Sequence, residues 1–483
     1  MPVLDRALRA AKKHWRTQWH TGTALAHMLR YGAFAFNGLL EELHLMIQRS
    51  LSSAATALFA LLMLLTIASV AQADDWPQWR GPKRDGVWRE TGLLEKFPAD
   101  GLKILWRTPI SAGYCGPTVA DGRVYVMDRL NMPEQSERVH CLDAKTGKEI
   151  WSHKYDCEYT VQYVAGPRAS VTIDEGRAYA LGTMGNFHCY DAAKGDILWS
   201  KDLNVEYKIR MPIWGIAGSP LIEKDLVIVQ IGGAGDACLV AFDKKTGEEK
   251  WRALPDNASY SSPIVIEQAG KRVLVCYTGD TVSGLDPATG KLYWSSPMKP
   301  TRMVIGIATP VVEKDRLFVS CFYDGSLMLK LLQDKPEVEQ IWRRLGPDEK
   351  QTDSLHSIIS TPLMEGDYVY GVDSYGELRC LDAKTGDRIW ESLLAVPKIR
   401  WGTIHMVKNA DKVWMFNDRG ELLISRLSPA GFEEISRAKL LEPTMDQLPR
   451  GKGVCWSHPA YANKHVFARN DKEIVCADLS AAQ

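Results

Sequence analysis

The chain has 483 residues, with 59 Lys+Arg balancing 59 Asp+Glu, 45% apolar residues and 24% charged ones. These are ordinary globular values, and they exclude a disordered chain, a collagen-like repeat and a basic nucleic-acid binder. Sixteen Trp and 38 Gly recur at fixed mutual spacing, so repeats come before any domain count from length.

Residues 50–73 carry no charge, and Ala54–Val70 is apolar apart from Thr56, Thr66 and Ser69. Arg49 precedes this run and Ala71-Gln72-Ala73 follows it, the arrangement of a secretory signal peptide cut after Ala73. The competing reading is a membrane anchor. The 17-residue run is at the short limit for a span, and acidic Asp74-Asp75 follow it. Met46 would supply a normal start for such a signal, which makes 1–45 a long leader or a misassigned start and 46–73 the signal itself. The expected product is exported, periplasmic or extracellular, and begins at Asp74, so no lipid-bearing cysteine stands at its amino terminus. Segment 1–73 holds seven basic and three acidic residues, which leaves the remaining 410 residues at net −4. That charge argues against nucleic acid or an anionic membrane as partner.

Beyond residue 101 one pattern occurs five times: Asp, three residues, Gly, three residues, Trp. The copies are Asp143–Gly147–Trp151, Asp191–Gly195–Trp199, Asp243–Gly247–Trp251, Asp286–Gly290–Trp294 and Asp382–Gly386–Trp390. Two more are degraded: Trp342 lacks the turn, and Gly431–Ile435 lacks the Trp. Asp accepts backbone N–H bonds in a turn, Gly supplies the positive φ that closes it, and Trp on the returning strand fills the gap between neighbouring sheets. Upstream of each turn lie Gly/Ser/Thr-Pro steps (Gly116, Ser219, Ser262, Thr309, Thr361) and short β-branched runs such as Arg123–Met127, Leu226–Gln230 and Tyr368–Val372. Each repeat thus predicts four short antiparallel strands.

The intervals from Trp106 through Trp390 are 45, 48, 52, 43, 48 and 48 residues. A period in the forties with four strands predicts an all-β, eight-bladed propeller over 102–483 rather than a series of sandwiches. The eighth repeat runs through Lys464–Arg469 to Asp478, and the sequence stops before its last strand. Lys103–Thr108, with Trp106, reads as that missing strand, which closes the ring and removes its open edge. Trp106, Trp151, Trp199, Trp251, Trp294, Trp342 and Trp390 are therefore expected to dock blade on blade, and 74–101 to form an amino-terminal extension.

The unit Leu-Asp-Ala-Lys-Thr-Gly-x-x-x-Trp, clearest at 142–151 and 381–390, resembles the repeat of pyrroloquinoline quinone (PQQ) propellers over 102–483. That family includes quinoprotein alcohol dehydrogenases and BamB-type assembly propellers. The opening Asp75-Trp-Pro-Gln-Trp-Arg-Gly-Pro82 also resembles the start of exported bacterial propellers of this kind. The dehydrogenase branch would imply a quinone under adjacent cysteines, with calcium held by Glu, Asn and Asp and an Asp as base. None of the ten cysteines is adjacent to another, and that ligand set cannot be placed here by motif. The expectation is a monomeric binding or scaffold module for a protein, glycan or small ligand, without quinone. A PQQ- and calcium-dependent dehydrogenase, with its site at the channel mouth, is the alternative.

Cys141, Cys189, Cys380 and Cys476 each precede a turn Asp by two positions and read as packing residues, whereas Cys115 and Cys455 are candidates for a disulfide between blades 1 and 8. The loops leading into each blade should gather at one mouth of the channel. They carry the candidate ligand residues Tyr114, Trp214, Tyr260, Arg302, His356, Arg400, Trp401 and Trp456, with Tyr163, Arg210, Lys452 and His458 beside them. Aromatic faces mixed with cations suit an anionic planar ligand, a glycan or a peptide.

Overall fold

The computed structural model describes residues 74–449 and 451–481. The leader and signal segments proposed for 1–73 lie outside the described residues. Eight four-stranded antiparallel sheets form the ring of an eight-bladed propeller. Blade 1 is Thr118–Ala120, Arg123–Leu130, Ser136–Asp143 and Glu149–Asp156, and the remaining blades repeat its order. The first strand of each lies next to the channel, and the fourth forms the rim.

Closure follows the sequence expectation. The strand Lys103–Pro109 pairs with the strand Glu473–Asp478, with Trp106 opposite Cys476. Two ion pairs reinforce the seam, Lys103–Asp478 at 3.1 Å and Arg107–Glu473 at 2.7 Å. Behind it, the fully buried Arg469 donates to the carbonyls of Met127 (2.7 Å) and Ser111 (2.5 Å), clasping blade 8 to blade 1.

The repeat motif works between blades as well as within them. Asp143 Oδ1 accepts from the backbone N–H of Lys145 (3.1 Å) and Thr146 (2.8 Å), and Gly147 sits at φ +70°. The preceding blade's Trp lies against that turn. A Cβ on Gly147 would stand 2.5 Å from the Trp106 ring, and one on Gly195 would stand 2.6 Å from Trp151. Each indole N–H then donates to a carbonyl in or beside its neighbour's turn: Trp106 to Ala144 (2.9 Å), Trp151 to Ala192 (3.0 Å), Trp199 to Lys244 (3.3 Å), Trp251 to Pro287 (3.1 Å), Trp342 to Ala383 (2.9 Å) and Trp390 to Ser428 (2.9 Å). Gly is thus demanded twice, by backbone sign and by the flat ring against it. Trp294 departs from the rule, because blade 5 lacks the turn it would meet. It donates instead to Gln268 Oε1 of its own blade at 3.0 Å.

The X-Pro steps have a similar inter-blade role. The Ser170 N–H donates to Ser219 Oγ and the Ser219 N–H to Ser262 Oγ, both at 3.0 Å, and the Thr309 N–H donates to Thr361 Oγ1 at 3.2 Å. These hydroxyls lace successive first strands around the channel.

All ten cysteines are free and buried. The candidate Cys115–Cys455 bridge is therefore corrected. Cys115 Sγ donates to the Met127 carbonyl at 3.2 Å and Cys455 Sγ to the Glu442 carbonyl at 3.6 Å, each within its own local packing.

The segment 74–101 is part of the ring's architecture and plugs the channel. Trp76 exchanges backbone hydrogen bonds with Val119 of blade 1 (2.8 and 2.9 Å), and the Ile173 N–H of blade 2 donates to the Pro77 carbonyl at 2.8 Å. Trp79 Nε1 donates to Thr309 Oγ1 of blade 5 at 2.8 Å. Arg84 donates to the carbonyls of Ser219 and Pro220 in blade 3 and, at 2.9 Å, Pro263 in blade 4. Further on, the Trp88 N–H donates to the Lys408 carbonyl of blade 7 at 2.8 Å, and Glu90 accepts from the Asn463 N–H of blade 8 at 2.6 Å. Arg80 and Arg84 are buried deeply enough that desolvation lowers them to about 10 and about 9. The cation of Arg84 is held by these carbonyls and by Gln78 Oε1 at 2.8 Å, with no carboxylate paired to it among the described residues.

The candidate functional site at the channel mouth

Above this plug the channel opens into a cavity of about 330 Å³. Of the candidates read from sequence, Tyr114, Trp214, Tyr260, Arg400, Trp401 and Trp456 line it, together with Tyr163 and His458. The aromatic rings contact one another. Trp214 stands 5.0 Å from Tyr260 and 5.7 Å from Tyr163, and Trp401 and Trp456 lie 6.4 Å apart. The indole N–H groups of Trp214 and Trp456 are buried without a hydrogen-bond partner among the described residues.

Two of these aromatics hold an uncommon backbone conformation. Tyr163 has φ +56° and Trp401 φ +68°. Most of the other non-glycine residues with positive φ are Asp, Lys, Asn or Arg; these two are bulky and both face the cavity. Such positions cost about 1–3 kcal/mol and persist where surrounding structure over-determines them, typically at binding sites. Buried carboxylates help to fix the mouth loops. Asp128 accepts from the Ser111 N–H (2.6 Å), Asp324 from the Thr301 N–H (2.7 Å) and Asp373 from the His356 N–H (2.6 Å). Burial raises Asp373 to about 6 even with Arg379 beside it.

Two candidates lie elsewhere. His356 is fully buried, with Nδ1 2.9 Å from the Phe322 carbonyl, and it does not reach the cavity. Arg302 is exposed outside it, its guanidinium 5.0 Å from the centre of the Tyr323 ring. Arg210 donates to the Pro255 carbonyl at 2.8 Å, away from the mouth. Sequence reasoning missed Trp79, Arg168, Tyr323 and His405, all of which line the cavity. Trp79 belongs to the conspicuous Trp-Pro-Gln-Trp-Arg-Gly stretch, which carried a signal but no position. Arg168 follows Gly166-Pro167 in the loop leading into blade 2 and was hidden behind Tyr163 in the same loop.

Trp79, His405 and His458 also line a smaller cavity below, so they form the partition that ends the upper one. Trp79 and His458 meet edge to face at 4.5 Å. His458 Nε2 lies 2.7 Å from Ser170 Oγ, a nucleophile–base distance. The pair is a clasp and not a catalytic dyad. The same nitrogen accepts from the Gly116 N–H at 3.2 Å, Ser170 is fully buried, and Nδ1 faces only the Pro459 carbonyl at 3.3 Å. Burial lowers His458 to about 3 and His405 to about 4, too weak for general bases near neutrality.

The residues around the mouth do not fit the calcium site that the dehydrogenase resemblance implies. No carboxylate lines the cavity, and among the described residues no cluster of His, Cys, Asp or Glu is arranged to hold a metal ion. The aromatic walls would accept a flat anion; the donor set for its metal is missing.

Fold and mouth together define a closed PQQ-type propeller with a blind aromatic pocket. The family model described as outer membrane protein assembly factor BamB matches residues 89–154 and 135–392, more than half of the chain, and the chain belongs to this family. A BamB from Burkholderia pseudomallei is 23% identical over 309 residues; the match spans 62% of this chain and 62% of that relative's length. Among solved structures, BamB from Moraxella catarrhalis superposes with a TM-score of 0.53 at 15% identity, over 78% of this chain and 99% of that one. The quinohemoprotein alcohol dehydrogenase of Comamonas testosteroni gives 0.57 at 14% identity, over 85% and 81%. These structural likenesses show the shared fold. Among the described residues no helix is long and apolar enough to cross a membrane.

Proposed function

We propose that this chain is an exported binding module. It is a rigid disc that offers one organised recognition pocket at one end of its channel, and it works as a receptor or scaffold without bound quinone. The observation that carries this reading is the pair of aromatic residues at the mouth, Tyr163 and Trp401, held at positive φ inside a ring of contacting aromatics. Strain of this kind is retained where a surface is pre-organised for a partner. The family supports a protein partner, since its description names outer membrane protein assembly. The lining supports binding over chemistry, because it brings two weakly basic histidines to the pocket and no carboxylate.

The test is site-specific photo-crosslinking in the native host. A photoreactive residue at Gln162, exposed on the mouth, is compared with one at Lys330, exposed in blade 5. A discrete adduct from position 162 only, lost in Trp401→Ala, supports the reading. Equal crosslinking from both positions would overturn the assignment of the mouth as the recognition face. Titration with PQQ, with and without calcium, tests the quinoprotein alternative: saturable, calcium-dependent binding would restore it.

A further inference from the structure

We infer that the mouth cavity is built for a small, flat, largely apolar ligand carrying a single negative charge, with Arg168 as the anion anchor and Trp79 as the stop that sets its depth. This inference rests on the mouth being the recognition site and names the chemistry it would recognise.

The charge balance of the lining carries the argument. Two cations reach the cavity, Arg168 and Arg400. Arg400 is already paired, 2.8 Å from Glu349, and its guanidinium lies 4.6 Å from the centre of the Trp401 ring. Arg168 has no carboxylate partner among the described residues; its guanidinium lies 4.8 Å from the centre of the Tyr114 ring. Its terminal nitrogens donate to the carbonyls of Gly166 (2.8 Å), Gln162 (3.0 Å) and Tyr163 (2.5 Å), with a long contact to Thr183 Oγ1 at 3.4 Å. Nε has no protein acceptor among the described residues. These bonds fix the guanidinium but leave its charge in place. A carboxylate in the same network, Glu137, lies behind Thr183 and Tyr159, where it accepts from the Tyr159 hydroxyl and from the Thr183 N–H at 3.1 Å. No Asp or Glu stands among the lining residues to offset Arg168, and Arg400 is already offset by Glu349, so the pocket wall carries the charge of Arg168.

The field below the floor has the same sign. Arg80 lines the smaller cavity under Trp79, with Asp85 as the acidic group that acts on it, and Arg84 is held in the plug by the carbonyls of Pro220 and Pro263. Opposite Arg168 the walls are apolar: Met303, Ile305, Ile307, Ile358 and Ile359 complete the aromatic ring. A fixed, uncompensated guanidinium in a low-dielectric wall favours one anionic group strongly. The same wall has nothing to solvate a second or third charge, so a polyanion would leave carboxylates buried and unpaired. A cavity of about 330 Å³ closed by Trp79 admits a bicyclic ring system and stops a longer one.

The probes are 1-naphthoate, its uncharged relative 1-naphthalenemethanol, and PQQ without calcium. They are titrated into the purified protein, followed by tryptophan fluorescence and calorimetry. The expected result is saturable 1-naphthoate binding at about 10 μM or tighter, at least tenfold weaker binding of the alcohol, and no displacement by equimolar PQQ. Arg168→Gln should weaken 1-naphthoate at least tenfold and change the alcohol less than threefold; Lys330→Gln, exposed in blade 5 away from the cavity, should change neither beyond threefold. Because Arg168 also ties down its loop, the acid-to-alcohol ratio on the unmodified protein stands as the independent measure. Equal affinity for acid and alcohol, tighter binding of PQQ, or no binding at about 1 mM would overturn the inference. Loss of naphthoate binding with mouth-specific crosslinks intact would sink the ligand class and leave the binding-module reading standing.

Discussion

The rim and the mouth of this propeller solve different problems with the same blades. At the rim, six of the seven docking Trp residues find the neighbouring blade's turn backbone, and chemistry repeats because geometry repeats. At the mouth each blade contributes a different loop, and the residues brought together share no motif: Tyr163, Trp214, Trp401, Trp456 and Arg168. Packing between identical neighbours selects one residue type many times, whereas recognition of an asymmetric ligand selects each position once. The docking turns at the rim accordingly place Gly at the position where φ is positive, as at Gly147, Gly195, Gly247, Gly290 and Gly386, and the mouth carries strain on Tyr163 and Trp401.

That contrast can be broken most forcefully at the seam. Deleting residues 102–108 should abolish cooperative melting of the whole ring, and Trp106→Ala alone should cost about 3–5 kcal/mol by urea denaturation. An unchanged midpoint would refute closure as the source of stability. Next comes the plug. Arg84→Ala strands the buried carbonyls of Ser219, Pro220 and Pro263 and should cost about 2–4 kcal/mol. A loss confined to the mouth, with melting unchanged, would show that the plug serves the ligand and not the ring. Gly195→Ala, which sets a Cβ against Trp151 and forces positive φ on alanine, should cost roughly 2 kcal/mol.

Acidification separates the channel from the rim. Burial holds His458 near about 3 and His405 near about 4, below the unfolded value of 6.5. Both are neutral in the folded state, so their contribution is complete above pH 6.5 and declines as the unfolded state takes up protons below it. Asp373, raised to about 6, acts in the opposite direction between pH 3.8 and 6. His458→Asn should therefore flatten the fall in stability from pH 6.5 to 5, read from chemical melts at each pH. An unaltered slope would remove His458 from the channel's account. The smallest effect sharpens the contrast. Trp401→Gly relieves a positive φ and should change stability by less than about 1 kcal/mol, while Trp251→Ala at the rim costs several. Equal losses would show that Trp401 is a packing residue like the others.

Much of this fold was legible in the chain. The nine-residue Asp-Gly-Trp unit, the period in the forties and the orphan strand at 103–108 correspond to blades, ring and seam. These features rest on local turn chemistry and nearest-neighbour packing, which repeat in sequence because they repeat in space. The mouth was legible only as a set of loops. Tyr114, Trp214, Tyr260, Arg400, Trp401 and Trp456 gather there, because any residue leading into a first strand must come near the channel. His356 and Arg302 occupy similar positions in the chain and turn away, since the direction of a side chain in a loop depends on its non-local partners, such as the Phe322 carbonyl for His356.

What the sequence by itself determined was the ring: its class, its blade number, its Trp docking and its closure. Tertiary structure alone decided that the amino-terminal segment is a plug, that Trp79 is the pocket floor, and that Arg168 carries the uncompensated charge. The plug and the floor depend on long-range contacts, as in the 230-residue separation between Trp79 and Thr309, whereas the hydrogen bonds of Arg168 are to residues within 15 positions and only the ring sets it against the other cavity walls. No period, turn or propensity records a contact made once, at long range, between a segment without a repeat and the centre of a repeating ring.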